Sequence, residues 1–148
     1  MMKRIDFIAS LLQGYHTVVD IGTDHGLVLK KAFELGYIQK AIASDINPQP
    51  LEKARENLEN YPVEFYLSDG FENIPSSFDL ALIAGMGPYT IIHILENTSH
   101  IGKPFILGCQ GKIHLLVEWL KNNHYTIQNH YIVHDKFNYM FLKVIRNK

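Results

Sequence analysis

The sequence predicts an α/β fold built on a seven-stranded, mostly parallel sheet, and three observations carry that prediction. Short apolar, β-branched runs alternate with amphipathic helical stretches along the chain. Most of these runs end in Gly or Asp, and the last two have no helical stretch between them. The size suits one such domain over residues 1–148, with 47% hydrophobic and 20% charged residues. That is too much apolar material for a disordered chain, and one cysteine excludes a disulfide scaffold.

Taken in order, Ile5–Leu12 reads as a helix in front of the sheet. Val18-Val19-Asp20-Ile21 is a first strand closed by Gly22, and the apolar stretch Leu27 to Leu35 follows it, closed by Gly36. Ala41-Ile42-Ala43 is a second strand ending in Ser44-Asp45. Asn47-Pro48 then supplies a cap and a first-turn proline for a helix with Leu51, Ala54 and Leu58 on one face. Val63 to Leu67 is a third strand ending in Ser68-Asp69-Gly70. Phe78 to Ala84 is a fourth, ending in Gly85 before the helical stripe of Ile91, Ile92 and Leu95. Phe105-Ile106-Leu107 is a fifth, ending in Gly108. After it, Ile113, Leu116, Val117 and Leu120 have the i, i+3, i+4, i+7 spacing of a core-facing helix. Five strand–helix alternations make a parallel sheet covered on both faces. Tyr125–Val133 and Tyr139–Ile145, joined only by His134–Asn138, must be a hairpin, because a parallel connection needs a longer crossover. The hairpin places one antiparallel strand near the sheet edge.

Charge and compartment follow from composition. The formal net charge is -1, whereas a general nucleic-acid coat is more basic. The halves differ: residues 1–74 hold seven basic and eleven acidic side chains, and residues 75–148 hold seven and four. A nucleic-acid partner would therefore use the second half, where Lys103, Lys112, Lys121 and Lys136 are the candidate contacts. Cys109 has no intramolecular partner, which fits a reducing cytoplasm. No apolar stretch approaches the roughly twenty residues that span a bilayer, and Met1-Met2-Lys3-Arg4-Ile5-Asp6 turns acidic too soon for a signal peptide. The expectation is a cytoplasmic protein. The histidines and the lone cysteine form no cluster with metal-ligand pairing, so no metal is expected.

In an open α/β sheet, ligands sit beyond the carboxyl ends of the strands, next to the first loop. Here that loop is Asp20-Ile21-Gly22-Thr23-Asp24-His25-Gly26. Gly22 permits the tight turn, and Gly26 permits close backbone approach at the start of the next helix. The nicotinamide fingerprint is absent, since Asp24 stands where its second glycine would be. Two carboxylates in this loop also repel a pyrophosphate, at a cost on the order of 4 kcal/mol per close pair of like charges at an effective dielectric near 20. S-adenosylmethionine, with an ammonium and a sulfonium, is the better guest. Asp45, followed by Ile46, lies where an acid accepts both hydroxyls of a ribose. Asp69-Gly70 can accept from an adenine amino group. Gly85-Met86-Gly87 leaves room for a flat ring or for the transfer itself. An Asp near a strand end is more often a turn former than a ligand, but acids after three successive strands are hard to obtain that way.

These residues also carry a family resemblance. Asp20–Gly26, Ala41-Ile42-Ala43, Asp69-Gly70, Ile83-Ala84-Gly85-Met86-Gly87, Ile91 to Leu95 and Glu118-Trp119-Leu120 resemble the bacterial tRNA (adenine(22)-N(1))-methyltransferases, in order and over nearly the whole chain. The resemblance implies a Rossmann-like class I methyltransferase fold, S-adenosylmethionine as donor with S-adenosylhomocysteine as product, and tRNA as substrate. Departures fall in one region. Gly108-Cys109-Gln110 stands where the family has Gln-Pro-Asn, Met140 follows Tyr139 where the family has Glu, and no C-terminal coiled coil follows Lys148. Without that coiled coil, a partner protein or a dimer would be expected to supply affinity for tRNA.

Methyl transfer from a sulfonium is an in-line displacement, so positioning and desolvation supply most of the rate. Asp24 is the first catalytic candidate, as a base near the amino group of the target adenine; its other reading is a cap on a helix beginning at His25. Tyr89 is the second, as a stacking face for a flipped base, or else a simple packing residue. Gly85-Met86-Gly87-Pro88-Tyr89 lacks the polar acceptor that amino-group methyltransferases carry after the fourth strand, which favours a ring nitrogen. Cys109 reads as a buried structural thiol and Trp119 as core. Two other readings stay open: a methyltransferase for a small molecule or protein, and a SAM-binding module without catalysis.

Overall fold

Thr17–Ile21 is buried at every position, as a strand must be when it is flanked on both sides and covered on both faces. The computed structural model describes residues 3–148, in which the elements run α1 (Arg4–Leu11), β1 (Thr17–Ile21), α2 (Leu27–Glu34), β2 (Lys40–Asp45), α3 (Pro48–Asn57), β3 (Val63–Leu67), β4 (Leu80–Met86), α4 (Pro88–Glu96), β5 (Pro104–Cys109), α5 (Ile113–Asn122), β6 (Tyr125–Asp135) and β7 (Phe137–Arg146). The strand order is β3-β2-β1-β4-β5-β7-β6. Strands β1 to β5 pair in parallel, and β7 pairs antiparallel with both β5 and β6. The expected α/β sheet, with its single antiparallel strand next to the edge, is what forms.

Alternation along β1 splits the apolar residues between two cores. Val19 and Ile21 join Ile91, Leu95, Leu116 and Leu120 under α4 and α5. Val18 joins Ile8, Leu29, Ala32, Ala54 and Leu58 under α1, α2 and α3. The periodic positions read from the sequence are thus the ones that seal the two faces. Trp119 packs half-buried against the first cluster, its ring 5.8 Å from that of Tyr125.

Two connections differ from expectation. The chain crosses from β3 to β4 without a helix, so four of the five parallel strands, not five, are followed by one. Gly70 has φ +58°, and the Ser68 hydroxyl donates to the Gly70 carbonyl while accepting the Asn73 N–H. These local bonds compete with helix, and Pro75 follows. The final hairpin is also tighter than the spacing suggested: β6 runs to Asp135, β7 begins at Phe137, and Lys136 alone makes the turn at φ +58°.

Gly108 marks where the hairpin meets the parallel part. A Cβ there would lie 2.7 Å from Phe141 Cε1 and 2.9 Å from Ala84 Cβ. Gly108→Ala should therefore destabilise the fold by about 1–3 kcal/mol, the cost of overpacking, read as a lower urea midpoint with an unchanged slope.

Candidate active site

Going outward from β1, the chain order rises one way through β2 and β3 and the other way through β4 and β5. The crevice beyond the strand ends at such a reversal is the binding position of an open α/β sheet. A cavity of about 590 Å³ opens there, within the usual range for a small-molecule site. Asp20, Gly22, Thr23 and Asp24 line it from the end of β1, and Asp45 and Ile46 from the end of β2. Asp69 and Gly70 close it after β3, and Gly85 and Met86 from the end of β4.

Its floor depends on backbone that few residues tolerate. Within five residues, Gly22, Asp24 and Gly26 have φ of +76°, +55° and +74°. A Cβ on Gly22 would sit 2.4 Å from Met86 Cε, so the absence of a side chain lets β4 close against the β1 loop. Gly26 does a different job from the one expected. It turns toward α3, where a Cβ would lie 2.7 Å from Leu58 Cδ1, and it does not line the cavity. Helix α2 starts after it, at Leu27. The reading of Asp24 as a cap on a helix beginning at His25 therefore fails. Asp24 is a non-glycine residue in the left-handed region, with a side chain 74% exposed and 3.7 Å from His25 Nε2.

Asp45 fastens this loop. Its Oδ2 accepts the Asp24 N–H at 3.0 Å and its Oδ1 accepts the Asn47 N–H at 3.0 Å. Asn47 occupies the N-cap of α3, but its side chain makes no capping bond. Just below, the Ser44 carbonyl accepts from both Gly22 and Thr23 N–H groups. Each carboxylate oxygen of Asp45 has a second lone pair, so both can still meet a ligand hydroxyl.

Asp20 is 5% exposed and accepts one hydrogen bond, from Thr23 Oγ1 at 2.9 Å. Burial raises its pKa to about 7, against the lowering effect of the Thr23 hydroxyl and with further push from Asp45 and Asp24. A buried carboxylate held this way is poised to take a cation. Asp69 is exposed and 3.6 Å from His93 Nε2. Gly87 is the N-cap of α4 rather than part of the lining, and Tyr89, in the first turn of α4, is 73% exposed and also outside it. Cys109 is 7% exposed, burial raises its pKa, and its Sγ lies 3.6 Å from its neighbour's carbonyl oxygen. It is a structural thiol.

Several lining residues escaped the sequence reading. Arg4, Ile5 and Ile8 close the cavity from α1, and Thr90, His93 and Gln110 from the far side. Among the described residues, Arg4 is the one Lys or Arg in the lining. Its backbone N–H donates to Asp135 Oδ2 at 2.9 Å, and its guanidinium lies 4.8 Å from the centre of the Tyr139 ring. No strand end signals these residues, since α1 approaches the site only through the tertiary fold. His130 and His134 carry an H-x-x-x-H spacing that the reading overlooked. On a strand, four residues span about 13 Å, and among the described residues no group of three His, Cys, Asp or Glu converges as a metal site would.

A Rossmann-like sheet with an acid-lined cavity at its switch point has the frame of a methyltransferase domain. Residues 1–142 match the methyltransferase domain family, and the chain belongs to that family. Within it, the chain is 32% identical over 155 residues to a Mycoplasma pneumoniae protein provisionally named a tRNA methyltransferase, covering 100% of this chain and 73% of that one. It is 29% identical over 147 residues to the tRNA (adenine(22)-N(1))-methyltransferase of Bacillus subtilis, covering 91% and 60%. Among solved structures, M. capricolum TrmK in complex with S-adenosyl-homocysteine superposes with a TM-score of 0.86 at 26% identity, over 100% of this chain and 70% of that one. The chain thus spans about two thirds of the length of these relatives.

The Asp20 carboxyl supplies a stability test. The native state holds a proton that the unfolded chain, with a carboxylate near 3.8, releases. Stability from that proton is present in acid and is lost as the pH rises toward 7. Asp20→Asn should raise the melting temperature by a margin that grows from pH 4 through pH 8, in thermal melts of the ligand-free protein.

Proposed function

We propose that the chain is an S-adenosylmethionine-dependent methyltransferase of the cytoplasm that acts on N1 of an adenine in tRNA. The observation that carries this reading is the charge layout of the cavity. Among the described residues, four acids line it, Asp20 and Asp24 of the β1 loop, Asp45 at the end of β2 and Asp69 after β3, and one guanidinium, Arg4, enters from α1. That layout complements a ligand with an ammonium, a sulfonium, a ribose diol and one carboxylate. Asp20 would take the ammonium, Arg4 the carboxylate, Asp45 the ribose hydroxyls through its free lone pairs, and Asp69 the adenine amino group. A bound ammonium favours the charged form of Asp20 and offsets its burial.

When bound, the sulfonium supplies an electrophilic methyl group. The chain's own part is to orient the acceptor and to manage charge. Asp24, freed from any capping role and presented by the β1 loop, accepts from the adenine amino group and stabilises the positive charge that N1 gains. Tyr89 offers its exposed ring beside Gly85–Gly87 as a stacking face. No amide or carboxylate occupies Gly87-Pro88-Tyr89 to grip an amino group as nucleophile, which supports a ring nitrogen. The relatives named as tRNA methyltransferases support tRNA as the acceptor.

The direct test incubates the full chain with labelled S-adenosylmethionine and unmodified tRNA, followed by nucleoside mass spectrometry. The expected product is 1-methyladenosine. Donor binding with no methylated nucleoside in any tRNA would instead favour a small-molecule substrate or a non-catalytic module.

Two substitutions separate donor binding from transfer. Asp45→Ala should weaken donor binding by about 1.5–3 kcal/mol, the scale of hydrogen bonds to a charged group, measured by calorimetry. It should also lower the melting temperature, because two backbone N–H groups lose their acceptor. Asp24→Asn keeps a residue that tolerates the left-handed backbone. It should cut kcat by on the order of 10²-fold while donor affinity stays within about twofold of the parent.

A further inference from the structure

The directions of the strands bring the tip of the last hairpin to the site. Strand β7 is antiparallel to both β5 and β6, so β6 runs with the parallel strands and its end at Asp135 stands at the same end of the sheet as the cavity. Along the upper part of the hairpin, Tyr131, Val133, Tyr139 and Phe141 pack toward α1. Alternation sends His130, Ile132 and His134 to the opposite face, beside Leu142, Met140 and Asn138 of β7. That face is covered lower down by α5, but here it is open: His130 and His134 are exposed and Ile132 is 52% exposed. Met140 pairs with Cys109 of β5, the neighbour of Gln110 in the cavity lining. The strip is therefore continuous with the rim of the site.

Its charge is one-sided. At the cavity end of the hairpin, residues 128–140 carry His130, His134 and Lys136 against a single acid, Asp135. Asp135 accepts the Arg4 N–H at the side where α1 packs. Lys112, the N-cap residue of α5, adds a cation beside Gln110. The other lysines expected to meet nucleic acid do not contribute. Lys103 donates to the Ser76 carbonyl and lies 4.3 Å from the centre of the Phe78 ring, at the start of β5. Lys121 sits in the last turn of α5. Both are at the end of the sheet away from the cavity.

We propose that this strip, from Lys112 across Met140 and Ile132 to Lys136, is the track on which the RNA strand next to the target nucleotide lies. Imidazoles and lysines meet phosphates there, and Ile132 and Met140 meet sugar and base edges. The inference rests on the proposed RNA substrate and names the surface that holds it.

The test measures binding of an unmodified tRNA transcript to the full chain by fluorescence anisotropy across a salt series. The combined variant His130→Ala, His134→Ala, Lys136→Glu should bind at least about fivefold more weakly, with a shallower salt dependence by about 0.7–0.9 per phosphate contact removed. Its melting temperature and S-adenosylhomocysteine affinity should match the parent. Lys121→Glu, at the far end of α5, should bind tRNA as the parent does. Equal tRNA affinity in parent and strip variant would overturn the track while leaving the RNA reading in place. Loss of binding in Lys121→Glu alone would move the contact surface to the other end and also overturn it. A parent chain with no measurable affinity for tRNA at any salt would overturn both. A change in oligomeric state of the strip variant by light scattering, with tRNA affinity unchanged, would assign the strip to a second copy instead.

Discussion

The site is held in shape by one carboxylate. Asp45 ties the loop after β1 to the turn after β2 through the N–H groups of Asp24 and Asn47. The parallel pairing of Ile21 with Ser44 delivers the two strand ends side by side, and the Ser44 carbonyl adds bonds from Gly22 and Thr23. Loop backbone in the left-handed region is costly for a residue such as Asp24, and it persists only where its surroundings over-determine it. Here the surroundings are the Asp45 carboxylate and the glycines on either side. Everything functional on the β1 loop takes its direction from that anchor.

The same arrangement leaves the protein electrostatically unfinished without a ligand. Asp20 lies buried with only a hydroxyl for company, and Asp45 and Asp24 raise its pKa further. A buried acid perturbed by its neighbours in this way belongs to functional sites more than to structural ones. Membership of the methyltransferase domain family gives the imbalance a purpose, because a positively charged donor would complete it. Stability at neutral pH is then partly surrendered to the site, a common exchange between stability and function.

Much of this was readable from the chain. All seven strands and the helices α1 to α5 followed from periodicity, and the acids and glycines at four strand ends marked the cavity before any coordinates. What escaped has physical causes. The β3–β4 crossing looked like another strand–helix step, yet Ser68 and Gly70 satisfy their polar groups locally and leave nothing to nucleate a helix. Arg4 could not be placed, because α1 reaches the cavity only by packing on α2 and below the hairpin tip. Rejecting the capping role for Asp24 needed the true start of α2 at Leu27, two residues after His25. The lysines of the second half were equivalent as letters. Only strand direction divides Lys112 and Lys136 from Lys103 and Lys121.

The reversal of strand order between β1 and β4 also shapes how the molecule comes together. The β6–β7 hairpin and the β1–β2–β3 steps join segments near in sequence, whereas pairing Val18–Ile21 with Leu80–Ile83 closes a loop of some sixty residues. Closing so long a loop carries the larger entropy, and such contacts slow assembly. The cavity straddles that seam, with Asp20 and Gly22 on one bank and Gly85 and Met86 on the other. A molecule lying across it stitches together the two halves that are hardest to bring into register, so occupancy acts on the lifetime of the native state as well as on its chemistry.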